Sequence, residues 1–182
     1  MPLLNAIATP YAEALLQVAE SRQETDTVAQ QARELLAIWN DSADLRHAMS
    51  SPVLEPEAKK AAITALFQDQ ITPSFQNLLK LLADRQRIGV LDVVLIRFLE
   101  LYRELRNIAL ARVTSAAPLD DDQQARLTEK VKAMAGTDNV EFDMAVDPSL
   151  IGGFIVSLGS QVIDASLSGQ VRRLGLALAK VS

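Results

Sequence analysis

The chain has 182 residues, 49% of them apolar, with 23 acidic side chains against 18 basic ones and a formal net charge of -5. That apolar content suffices for one large core or two small ones, and the acidic balance opposes nucleic acid and anionic lipid headgroups as partners. With no cysteine and a single histidine, disulfides, thiolate metal sites and cysteine nucleophiles are excluded and little remains for acid-base catalysis.

Mean hydropathy is slightly positive at +0.12, yet no apolar run approaches the roughly 20 residues of a spanning helix. The amino terminus, MPLLNAIATPYAEALL, has neither a basic leader nor a signal-type cleavage pattern. The expectation is a cytosolic protein, docked to a partner.

The first helix carries two apolar stripes. Ala8, Ala12, Leu15 and Ala19 form one, and Ile7, Tyr11, Ala14 and Val18 form its neighbour. A bundle helix needs one stripe for its own core, so the second is either deeply buried or half of a groove for an amphipathic helix from another chain. Next, ETDTVAQQARELLAIWN sets Val28, Ala32, Leu35, Leu36 and Trp39 on one helical face. A short polar helix follows around Leu45 to Met49, with His47 at its surface. Pro56 and Pro73 each stand where a first helical position falls, and Thr72 is a suitable N-cap. After Pro73, Phe75, Leu78, Leu79 and Leu82 make the core stripe, leaving Leu81 at its edge beside Asn77 as the groove's other wall. A long helix from about Ile88 bears Leu91, Val94, Leu95, Phe98, Leu99, Tyr102 and Leu105. About six helices with short connections describe a bundle over residues 1–106.

From Asn107 the texture changes to a mixed α and β pattern over residues 107–182. NIALARVTS reads as a strand on length and β-branched content. Asp120 opens a helix in a capping-box pattern with Gln123, Leu127, Val131 and Met134 form its buried stripe, and Gly136 ends it. NVEFDMAV alternates, with Val140, Phe142, Met144 and Val146 on the face expected to be buried. FIVSL and QVIDA are strands joined by Gly159-Ser160, a pair suited to a type II′ hairpin turn. The last helix turns Val171, Leu174 and Leu178 inward. Its Arg172, Arg173 and Lys180, with no acid after Asp164, are either a solvated face favoured near a helix C-terminus or a contact for an acidic partner. The fold class is therefore mainly α: an N-terminal six-helix bundle followed by a small α/β domain.

Chemistry-bearing patterns are absent. Only Gly89 precedes residue 136, whereas Gly152, Gly153 and Gly159 crowd together. These lack the Lys-Ser/Thr of a phosphate loop and the helix-opening Gly-x-Gly-x-x-Gly of a dinucleotide site. Asp120 to Asp122 have no further ligand at calcium-loop spacing and are explained by capping. Lys59-Lys60 and Arg85 to Arg87 are too short and too diluted by acids to follow a phosphate backbone. No catalytic residue, metal or cofactor is expected.

Three stretches, TPYAEALLQVA, SFQNLLKLLADRQRIGVLDVVLIRF and VDPSLIGGFIVSLGSQVIDASLSGQVRRLGLAL, resemble the delta subunit of rotary F-type ATP synthases, the family of the oligomycin-sensitivity-conferring protein (OSCP). The similarity runs from end to end. It is most specific at the carboxyl end, where Asp-Pro-Ser-Leu, Gly-Gly, Ile-Asp and Arg-Arg-Leu follow in the family's order and spacing. Family members often carry Glu-Asn-Gly-Arg where this chain has ADRQRI, and that basic loop resembles cyanobacterial or plastid versions.

The resemblance implies a non-catalytic stator subunit that connects the F1 head to the peripheral stalk and resists rotor torque during proton-driven ATP synthesis. It implies a six-helix domain gripping amino-terminal helices of the alpha subunits and an α/β domain meeting the b-type subunits. Carried over by position, the first-helix contacts fall on Tyr11, Ala14 and Val18, and the fifth-helix contacts on Asn77 and Leu81. Arg172 and Arg173 complete the expected partner-binding set. The implied location is peripheral, on the cytoplasmic or stromal face of an energy-transducing membrane such as the thylakoid, without direct lipid contact. The rival reading is a free regulatory adaptor whose helical domain binds some other amphipathic helix.

Overall fold

The computed structural model describes residues 2–67 and 70–179, with side-chain surroundings for 4–67 and 70–173. The chain separates into two compact units, Met1–Leu105 and Arg106–Ser182. The first is helical: α1 (Pro2–Ser21), α2 (Thr25–Asp41), α3 (Ala43–Ser50), α4 (Pro56–Phe67), α5 (Pro73–Asp84) and α6 (Leu91–Arg106), the last entered through a 3-10 turn at Ile88–Val90.

Local chemistry starts these helices. Pro56 and Pro73 open α4 and α5, where a missing N–H breaks no bond, and the Ser42 hydroxyl caps α3 by accepting from Leu45 N at 3.2 Å. Thr72 stands at the N-cap of α5 but does not cap it with its side chain. Its hydroxyl and backbone N–H both donate to Gln31 Oε1, at 3.0 and 3.1 Å, so the residue ties α5 to α2.

The core stripes read from sequence are buried in large part: Val28, Ala32, Leu35 and Trp39 of α2, Phe75, Leu78, Leu79 and Leu82 of α5, and Leu91 through Tyr102 of the α6 stripe. Leu36 is half-buried. Leu105, one residue before the end of α6, is 46% exposed. Tyr102, at the edge of this core, donates to Asp26 Oδ1 at 2.9 Å while the Arg33 guanidinium lies 5.5 Å from its ring centroid, a cation-π arrangement. His47 is exposed on α3.

Non-glycine residues in the left-handed region close helix ends here. After α1, Gln23 takes φ 58°, and after α5, Gln86 takes φ 54°. Around Gln86, its own N–H reaches Ala83 O at 3.0 Å and the Arg87 N–H reaches Leu82 O at 2.8 Å. This is the paired closure of a Schellman motif, built in ADRQRI with a glutamine in the left-handed position.

The second unit holds β1 (Ala109–Ser115), α7 (Asp121–Ala135), β2 (Val140–Val146), β3 (Phe154–Leu158), β4 (Gln161–Asp164) and α8 (Leu167–Ala179). The strand order is β2-β1-β3-β4, with β1 and β2 parallel across the α7 crossover and the other pairs antiparallel. Asp120 and Gln123 form the reciprocal capping box of α7, and Gly136 ends it. Ala111, Val113, Leu127, Val131 and Val156 make the small core, with Val140, Phe142 and Phe154 packed against it.

The alternation of β2 overstates its burial. Met144 and Val146 are 44% and 52% exposed. Alternation dictates which side of a strand a residue faces, not whether anything covers that side, and β2 is an edge strand. At the hairpin, Leu158 pairs with Gln161 and Gly159 takes φ 56°, as a II′ turn requires at its first central residue. Gly153 is more constrained: at φ 78°, an added Cβ would stand 2.3 Å from the Ala165 carbonyl oxygen. The glycine cluster thus serves a turn and a close backbone approach. Val171, expected inward on α8, is 67% exposed, since the first turns of α8 present that side to solvent. The inward expectation for Leu174 and Leu178, and Lys180 itself, lie outside the described side chains.

Candidate partner-binding groove

The two stripes of α1 have opposite fates. Ala8, Ala12 and Ala19 are fully buried and Leu15 is 4% exposed, whereas Val18, on the neighbouring stripe, is 40% exposed. Ala14 is also exposed, and Ile7 and Tyr11 are half-buried. On α5 the same division recurs, with Leu78 buried while Leu81 is 42% exposed and Asn77 lies open.

Where these open faces meet there is a groove of about 290 Å³. From α1 it takes Tyr11, Ala14, Leu15 and Val18, with Arg22 just past the helix end. From α5 it takes Ser74, Asn77, Leu78 and Leu81. The five residues carried over by position onto α1 and α5 thus line one depression. Sequence reasoning missed Arg22 and Ser74. Arg22 follows Val18 by one helical turn, so the 3.6-residue period extends the open stripe to it.

Polar bonds frame the apolar floor. At one end Arg87 Nη1 donates to the Tyr11 hydroxyl at 3.2 Å. At the other, Ser74 Oγ donates to Glu24, which fixes the start of α5 against the loop after α1. Among the described residues no group of three or more His, Asp or Glu side chains is placed to hold a metal. What the groove can do is bury apolar surface, at roughly 25 cal/mol per Å² removed from water.

Of the lysine pair singled out in the sequence, one side chain is buried and the other is paired with acids. Lys59 is buried, and Lys60 bonds Asp84 at 2.8 Å and Glu57 at 2.7 Å, which raises its pKa chiefly through Asp84.

In the second unit, Arg172 and Arg173 are exposed on α8. Arg173 Nη2 donates to the Asp164 backbone carbonyl at 3.2 Å, and its guanidinium stands 3.9 Å from the Asp164 carboxylate, with 56% of its side chain still accessible. Asp164 is itself the organiser of this corner. Its Oδ1 accepts from Ser166 N at 3.0 Å and from Ser166 Oγ at 2.5 Å, and Ser166 Oγ in turn accepts from Gly169 N at 3.0 Å. The Ser166 bonds hold the Asp164 carboxyl below the usual carboxylate range, with Arg173 and Arg172 adding to the shift. Near these arginines, Leu167 and Val171 are 48% and 67% exposed. Among the described residues no helix is long and apolar enough to cross a membrane.

The family model described as "ATP synthase delta (OSCP) subunit" matches residues 7–178. Over the whole of both chains, the sequence is 68% identical to the ATP synthase subunit delta of Synechococcus sp. (strain CC9311) and 69% identical to that of Prochlorococcus marinus (strain MIT 9303). It is 67% identical to the organellar chromatophore subunit delta of Paulinella chromatophora, again over 100% of each chain. Among solved structures it is similar in fold to a chain of the Toxoplasma gondii mitochondrial ATP synthase hexamer, with TM-score 0.77 and 21% identity, covering 94% of this chain and 97% of that one.

Proposed function

The chain belongs to the ATP synthase delta (OSCP) subunit family, and we propose on that premise that its α1–α5 groove receives an amino-terminal helix of an F1 alpha subunit. Tyr11, Ala14, Val18, Asn77 and Leu81 supply the contact. The α/β unit meets the b-type subunits of the peripheral stalk, with Arg172 and Arg173 on the contacting face. As a member of this family the chain is a non-catalytic stator subunit that links the F1 head to the peripheral stalk, and it works alongside other ATP synthase subunits.

The physical task is to keep the head from turning with the rotor, so that rotation drives the catalytic sites through their conformations. This requires a contact with slow dissociation. A preformed apolar groove supports it, because the free subunit need not reorganise and the ordering cost falls on the incoming helix alone. The protein then resides on the cytoplasmic or stromal face of an energy-transducing membrane, held there through its partners.

The observation that carries this reading is the open second stripe of α1 beside the open edge of α5. Its test is titration of the full chain with a synthetic alpha-subunit amino-terminal peptide from the same synthase. Saturable binding that protects Val18 and Leu81 from solvent is the expected result. Lack of binding, with capture of unrelated helical peptides instead, favours a free adaptor.

A further inference from the structure

We propose that the helix accepted by the groove carries an acidic side chain at each end of its apolar stripe, read by Arg22 at one end and Arg87 at the other. This rests on the groove reading above and adds the charge pattern of the partner. Between the two ends the floor is apolar, formed by Ala14, Leu15, Val18 and Leu78 with Leu81. Arg22 is exposed and lines the groove, and it makes no ion pair among the described residues. The nearby Glu24 carboxylate accepts from the Ser74 hydroxyl and forms no ion pair with Arg22.

Arg87 is also exposed and without an ion pair among the described residues. Its bond goes to the neutral Tyr11 hydroxyl, which holds the guanidinium at the rim while leaving its charge uncompensated. In a chain of net charge -5, this apolar groove has at each end a guanidinium without an ion pair among the described residues. Tyr11 and Arg22 are about three turns apart, roughly 16 Å at the helical rise. A docked helix running along α1 therefore meets a cation at each end, and acids there gain charge-assisted hydrogen bonds and faster encounter. The same acids fix the lengthwise register, which an apolar stripe alone leaves free to slide.

The test uses the full chain and the synthetic alpha-subunit amino-terminal peptide. At about 20 mM salt, Arg22→Glu and Arg87→Glu should each weaken binding roughly fivefold or more, and the difference should shrink at about 500 mM salt as the charges are screened. Arg22→Gln and Arg87→Gln should give smaller losses, and both arginines are exposed, so thermal midpoints should hold. Changing the peptide's acid nearest Arg22 to lysine should restore its affinity for Arg22→Glu. A peptide that binds wild type and all four variants equally, or that binds tightly with no acid at either end, overturns the inference and leaves the groove reading in place. A peptide that does not bind wild type at all overturns that reading.

Discussion

A Cβ added to Gly169 would stand 2.2 Å from Asp164 Oδ2, so the second residue occupies the space that any side chain at the first would need. The carboxylate cannot swing away freely, because Oδ1 is bound to the Ser166 backbone and hydroxyl. Gly169→Ala should therefore destabilise the α/β unit by about 1–2 kcal/mol, the worth of the displaced hydrogen bonds, despite alanine's better helix propensity. In an Asp164→Ala background the same change should be neutral or stabilising. Thermal melts of the four-member cycle decide this, and equal costs in both backgrounds would refute the contact.

The same carboxylate makes stability depend on pH. Because folding lowers the pKa of Asp164, chiefly through Ser166, its contribution is present above the unfolded value of about 3.9 and is lost as pH falls through the lower folded value. The midpoint gap between wild type and Asp164→Asn should be fully developed at neutral pH and should close below about pH 4. A gap that stays constant into acid would show that the charge contributes nothing.

Gln86 holds a left-handed conformation at φ 54° that costs a non-glycine residue about 1–2 kcal/mol. Replacing it with glycine relieves that strain but enlarges the unfolded ensemble by about 0.5–1 kcal/mol. Gln86→Gly should thus raise the stability of the helical unit by about 0.5–1 kcal/mol, measurable by urea denaturation. The Schellman bonds of Ala83 and Leu82 require no side chain at this position.

Ala14→Asp should leave folding nearly intact, since residue 14 faces solvent, while costing several kcal/mol in alpha-subunit peptide binding once the docked helix seals the charge from water. Leu15→Asp, one residue on and 4% exposed, should unfold the bundle. A large fall in the Ala14→Asp midpoint, with its folded fraction still binding normally, would count against the groove.

A fragment of residues 1 to 106 should fold alone as a helical bundle, because the buried faces of α2, α5 and α6 are all drawn from within it. Far-UV circular dichroism with cooperative melting checks this, and a spectrum of disordered chain would contradict it.

Sequence by itself determined what depends on near neighbours. The core stripes of α2 and α5, the capping box at Asp120, the helix-opening prolines and the Gly159 turn were all legible, because helical period, cap chemistry and backbone φ are set within a few residues. So were two apolar stripes on α1. Which of those stripes stays open was decided by packing against the rest of the bundle, through contacts with residues such as Leu78 more than fifty positions away. Tertiary structure alone turned Thr72 from helix cap to Gln31 partner and left Met144 and Val146 exposed on an edge strand. It also brought Arg87 to Tyr11 and Arg173 to Asp164. Periodicity tells which way a side chain points from its own element, but only the neighbours that other segments bring there decide whether it meets protein or water.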